Sequence, residues 1–269
     1  MKPTLPFLLC LLLLSGCPAR APLGPTLADL PSASPEAARE LVTMLQSAAD
    51  QVTALRARQN VHLEGRLGQE SFTQVVAFVR PDRLRLEFFA TGLNTLTSIL
   101  TTHDGALHVL DVLERKVFQG SAAPETIRRF ASVPFAPEEL MLWLVGRCAP
   151  PVEHELLGYE AYLQGARRIA KFTLFDGRVI VVTTSLERKG LLESMNVESV
   201  GGEQLFASQF HYGSAKDRVP ESIDFWLTEQ GAKGRLQYLQ IAVNPDVAEM
   251  PERLFQGRTP HAATVVPLD

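Results

Sequence analysis

The sequence predicts a mainly β protein of the α+β class, with a curled antiparallel sheet forming an unclosed barrel under covering helices. Three observations carry this prediction. From Asn60 onward, apolar and polar residues alternate with a period of two over about a dozen segments. Short turns separate these segments, and Asp104-Gly105 and Asp176-Gly177 have hairpin chemistry. Helical spacing is confined to three stretches, too few to cover a flat sheet of that many strands on both faces.

The elements follow in chain order. An apolar run from Leu5 to Leu14 follows Met1-Lys2. At about ten residues it is shorter than a bilayer span and has the length of a secretory h-region. Residues 18 to 35 are rich in Pro, Ala, Ser and Leu and read as a tether. Ser34-Pro35-Glu36 has the form of a helix start, with Ser34 as N-cap and Pro35 in the first turn. Apolar residues at Ala38, Leu41, Leu45, Ala48, Val52 and Leu55 then extend one helical stripe to about Arg58. The period changes at Val61 and Leu63. Strands are expected from Phe72 to Val79, through Leu84, Leu86 and Phe88 after the turn at Pro81-Asp82, from Leu96 to Thr102, from Ala106 to Val112, and from Lys116 to Gln119. Helices are expected over 124–132 and from Pro137 to Val145. The strands resume at Ile169 to Phe175, Val179 to Leu186, Leu191 to Val200, Leu205 to Tyr212, Ile223 to Thr228 and Arg235 to Val243. The tail from Asn244 is Pro-rich, with Phe255 as its one expected anchor.

Composition narrows the function. The chain has 26 Lys and Arg against 30 Asp and Glu, a net charge of −4. Scattered charge of that sign leaves no electrostatic footprint for nucleic acid. The six histidines, His62, His103, His108, His154, His211 and His261, form neither H-E-x-x-H nor a Cys/His cluster with metal spacing. There is no G-x-S-x-G elbow, P-loop or G-x-G-x-x-G. His103-Asp104 reads as turn chemistry. The expectation is a non-enzyme with no cofactor and no metal.

Leu14-Ser15-Gly16-Cys17 resembles the lipobox of bacterial lipoproteins. The resemblance implies cleavage before Cys17, acylation of Cys17, and anchoring in membrane lipid, since two or more acyl chains hold a protein stably. It also leaves Cys148 as the single cysteine of the domain, expected as a small buried hydrophobe. Pro18 stands where an Asp would signal retention at the inner membrane, so the expected location is the periplasmic face of the outer membrane. The domains are then a signal over 1–16, the lipidated Cys and tether over 17–35, a folded domain over 36–243 and a tail over 244–269.

Residues from about Asn60 to Cys148 resemble the outer-membrane lipoprotein receptor LolB and its relatives, the LolA/LolB-like fold. The features that carry this occur in order. They are Pro81-Asp82-Arg83-Leu84-Arg85-Leu86, the apolar loop Ala90 to Leu96, the strand ending Val117-Phe118-Gln119-Gly120, and the helical pair containing Val133-Pro134-Phe135 and Leu142-Trp143-Leu144-Val145-Gly146. Val219-Pro220 before Ile223-Asp224-Phe225 is similar to a late family strand. The resemblance implies an apolar cavity that binds acyl chains and assists lipoprotein localisation. Lipoprotein cargo and a LolA-like periplasmic carrier are the implied partners. The candidate lining residues are Leu84, Leu86, Phe88, Leu142, Trp143 and Phe225. Leu93 matches a membrane-touching Leu of the family, although the family loop reads Pro-Leu-Gly and this chain reads Gly92-Leu93-Asn94. The alternative is an envelope lipoprotein of the same fold with a filled core, acting as a structural or assembly partner.

Overall fold

The computed structural model describes residues 27–66, 68–92, 94–131, 133–214 and 217–268. The lipobox, Cys17 and Leu93 lie outside the described residues. The described chain forms two compact units, one of residues 53–141 with 236–268 and the other of residues 27–52 with 142–235.

The first unit contains β1 (Ala54–Gly65), β2 (Gly68–Val79), β3 (Arg83–Ala90), β4 (Thr95–His103), β5 (Ala106–Asp111) and β6 (Lys116–Ser121), each antiparallel to the next. The turn between β4 and β5 is the expected one, with Asp104 and Gly105 at φ of 49° and 73°. A two-residue hairpin needs such positive φ to match strand twist. Helix α2 (Pro124–Ala131) sets Phe130 against Phe118 of β6, ring centroids 5.4 Å apart.

The second unit holds α1 (Pro35–Asp50) and β7 (Leu156–Gln164), β8 (Arg167–Leu174), β9 (Arg178–Ser185), β10 (Leu192–Ser199), β11 (Gln204–His211) and β12 (Ser222–Leu227), again antiparallel in sequence order. Ser34 caps α1 as expected, accepting from Ala37 N at 3.2 Å. The helix packs on β7 and β8, and its Leu41, Leu45 and Ala48 are buried. Gly190 has φ 86°, and a Cβ there would meet Ala48 Cβ and Met44 O at 2.8 Å, so the loop after β9 approaches α1 on glycine alone. The described chain passes between units between Val52 and Thr53, within α3 (Pro137–Leu144) and within β13 (Ala232–Val243).

Arg147 binds the second unit internally. Its guanidinium donates to the carbonyls of Ala48 at 3.2 Å, Val145 at 3.2 Å and Arg218 at 2.7 Å. Burial pulls its pKa down to about 10, and the carbonyls replace the water it has lost.

The structure differs from the sequence reading in three places. Helix α1 ends at Asp50, not near Arg58. Ala48, Val52 and Leu55 are spaced four and three apart, as in a helix, but Leu55, Ala57, Gln59 and Val61 also have the period of two that β1 uses, alternating with exposed Arg56, Arg58 and Asn60. The Pro-rich lead-in is partly folded: Ala33 N donates to Ala161 O at 2.8 Å and Leu163 N to Pro31 O at 3.1 Å, while Leu27 and Leu30 pack on Tyr162, Ile169, Val179 and Val181. The tail adds Met250 and Leu254 to Phe255, packed on Ala54, Ala77 and Val79, and ends in β14 (Thr264–Pro267), parallel to β6. Strand β14 has one neighbour in its unit and β7 one in its own, so neither run of strands closes.

Candidate functional site

The register of β1 to β5 lays side chains in rows across one face of the first unit's sheet. The innermost row is Leu55, Phe78, Leu84, Thr102 and Leu107, none more than 1 % exposed. The next is Ala57, Val76, Leu86, Leu100 and Val109, also buried. The third is Gln59, Gln74, Phe88, Ser98 and Asp111. Here the face turns polar, and Phe88, Ser98 and Asp111 are half-buried. Phe88 meets Phe72 of β2, itself half-buried, at 5.8 Å between ring centroids. The face thus passes from buried apolar rows to a polar row that is buried at Gln59 and Gln74 and half-buried beyond them, with an aromatic pair beside it.

Gln59 and Gln74 had no place in the sequence reading. Gln59 is fully buried, and its Nε2 donates to Gln74 Oε1. Gln59 Oε1 has no partner. Turning both amides over satisfies Oε1 and strands Nε2 instead, so one end of the amide is unmet in either orientation. The available signal was positional: Gln59 falls on the buried phase of β1.

Leu142, Trp143 and Phe225 lie in the second unit. Leu142 is 1 % exposed, Trp143 4 % and Phe225 7 %. Trp143 stands edge-on to Phe206 at 5.6 Å and to Phe225 at 5.9 Å, and its indole Nε1 donates to Ser208 Oγ at 3.1 Å. Its polar end is therefore satisfied inside the packed cluster. The structure brings Trp143 and Phe225 together, with Leu142 next to them in the chain, while Leu84, Leu86 and Phe88 share a strand face of the first unit. Phe225 and Trp226 do take opposite faces: Phe225 is buried and Trp226 lines a groove of about 550 Å³. The charges in that groove are already engaged. Arg167 Nε pairs with Glu193 at 2.8 Å, and Arg188 lies over the Tyr212 ring at 4.4 Å. Burial raises the Tyr212 phenol well above its usual range.

The remaining singled-out residues have structural partners. Arg80 pairs with Glu138 at 2.6 Å, and Arg83 lies 6.0 Å from the Phe255 ring centroid. His103 bridges Asp104 at 3.2 Å and Glu252 at 3.3 Å, which ties the hairpin turn to the tail. Cys148 is buried. Among the described residues no group of three or more His, Cys, Asp or Glu is placed to hold a metal ion, and no helix is long and apolar enough to cross a membrane.

No family model and no curated protein matches the sequence. Solved structures match the fold. A DUF1329 family protein from Desulfovibrio piger aligns with TM-score 0.58 and 12 % identity, over 82 % of this chain and 98 % of that one. A candidate outer-membrane lipoprotein-sorting protein domain from Vibrio parahaemolyticus gives 0.59 and 11 %, over 81 % and 97 %. A LolA superfamily protein from Nitrosomonas europaea gives 0.54 and 10 %, over 80 % and 97 %. The chain therefore shares the mainly β, unclosed-sheet architecture with covering helices of these proteins.

Proposed function

We propose that this chain is an envelope lipoprotein, anchored through acylated Cys17 at the periplasmic face of the outer membrane, that binds acyl chains and assists lipoprotein localisation. The observation that carries this reading is the graded face of the first unit, from Leu84 and Leu86 out to Phe88 and Phe72. A 16-carbon chain in water costs on the order of 12 kcal/mol, so cargo of this kind needs an apolar shelter. Apolar rows that end in a polar row suit a chain whose head remains wet. Strand β3 ends two residues past Phe88, and in the chain Leu93 falls between β3 and β4, where a loop could hand cargo to the bilayer. Likeness of fold to a candidate lipoprotein-sorting domain and to a LolA superfamily protein supports the reading. Cargo lipoproteins and a LolA-like carrier are the proposed partners.

The test uses the chain from residue 17 with Cys17→Ala, which keeps every described residue. Native mass spectrometry should show bound lipid or uptake of an acylated peptide, and Leu93→Glu should impair delivery without unfolding the protein. A clean apo mass with no uptake would overturn the carrier role. A second reading, a non-carrier assembly lipoprotein of the same fold, is favoured by the close packing of Trp143, Phe206 and Phe225. On that reading depletion leaves other lipoproteins correctly located, and crosslinking captures a partner.

A further inference from the structure

The opposite face of the same sheet carries a second feature. Arg85 alternates with Leu84 and Leu86 on β3 and so faces away from them. With Ile99 and Thr101 of β4 and His108 and Leu110 of β5, it forms one wall of a groove of about 470 Å³. The tail supplies the other wall through Pro251, Arg253, Leu254, Gly257, Arg258 and Pro260. Arg85 holds the tail in place, donating to Leu254 O at 3.2 Å, and is itself paired with Glu87 at 2.6 Å. Arg253 and Arg258 have neither an ion pair nor a hydrogen bond among the described residues. His108 Nε2 is buried without a partner, and its ring lies against Gly257, where a Cβ would come within 2.2 Å of it. With Glu87 set against Arg85, two uncompensated guanidiniums remain at the groove of a chain whose net charge is −4. Ile99, Leu110 and Leu254 give the same groove an apolar wall.

We infer that this groove binds a single-chain anionic amphiphile, its phosphate or carboxylate head on Arg253 and Arg258 and its apolar chain along Ile99, Leu110 and Leu254. Guanidinium forks match such oxyanions in geometry and charge. The volume is that of a small-molecule site. The inference does not depend on the acyl-carrier reading, because the two sites occupy opposite faces of the sheet.

Isothermal titration of the Cys17→Ala chain from residue 17 tests it, with dodecyl phosphate, dodecanoate, dodecyltrimethylammonium and inorganic phosphate as probes. The two dodecyl anions should bind more tightly than the dodecyl cation, which has only the apolar face opposite to bind to. The exposed double variant Arg253→Glu/Arg258→Glu should weaken dodecyl phosphate by about tenfold or more, as expected when charge-assisted bonds are lost. Arg253→Gln/Arg258→Gln should weaken it less, and neither should move the thermal midpoint. Phe88→Ala, on the opposite face, should leave this binding unchanged even where it reduces uptake of acylated peptide. Equal binding of the dodecyl cation, an unchanged affinity in the reversal variant, or inorganic phosphate binding as tightly as dodecyl phosphate would each overturn the inference.

Discussion

Both units bury apolar side chains but treat their polar groups differently. In the second unit the buried indole of Trp143 donates to Ser208, and Arg147 is met by backbone carbonyls. The exception is Arg168 Nε, on an arginine whose Nη1 bonds Glu40 at 3.2 Å. In the first unit Gln59 Oε1 and His108 Nε2 are buried and unmet, on opposite faces of one sheet. A buried polar group without a partner costs about 1–3 kcal/mol. A scaffold gains nothing from such groups, whereas a surface that receives a polar ligand group uses them. On the proposed function, the second unit is the scaffold and the first makes the ligand contact.

Truncating one aromatic in each unit probes this contrast most strongly. Trp143→Ala removes the centre of a ring cluster and the donor to Ser208 Oγ, which keeps its bond to Met195 O, so urea denaturation should show a loss of about 4 kcal/mol. Phe88→Ala removes a half-buried ring and should cost less than about 1.5 kcal/mol. A cost for Phe88 equal to that for Trp143 would make the first unit's face a closed core and break the contrast.

The sequence revealed which side of a strand is apolar more readily than how deeply it is buried. Leu84, Leu86 and Phe88 follow a single alternation, yet two are sealed and one is not, because depth is set by what lies across the sheet. The contact between Trp143 and Phe225 joins residues far apart in the chain, and no local pattern announces it. Strand β7 was hidden because it is an outer strand with a run of exposed residues, so alternation fails there. Strand β14 is four residues long and pairs in parallel with β6, which leaves no hairpin signal. By contrast, Asp104-Gly105, Asp176-Gly177 and Ser34-Pro35 were readable because their chemistry is local: a positive φ, or a cap and a preset φ.

A second way to sharpen the contrast replaces the Gln59–Gln74 pair by leucines. Removing a donor and an acceptor together, along with the unmet end of Gln59, should leave stability within about 1 kcal/mol of the parent or raise it. Binding of an amide-bearing acyl probe should weaken, measured by titration calorimetry. A large loss of stability with unchanged binding would return the pair to a purely structural role.

The smallest effect concerns His108. Burial holds its imidazole below the ordinary value of 6.5. Below that pH the unfolded chain takes up a proton at this position that the folded chain refuses. Stability contributed by the neutral ring is therefore present above 6.5 and declines as pH falls toward the depressed folded value. Urea midpoints measured from pH 7.5 down to about 5.5 should fall, and His108→Gln should flatten that decline. The ring is only partly enclosed, so solvent reduces the effect. An undiminished slope in the variant would mean that His108 exchanges its proton as freely in the folded chain as in the unfolded one. The unmet Nε2 would then be solvated, and the two faces of the first unit would no longer share the property that separates them from the second.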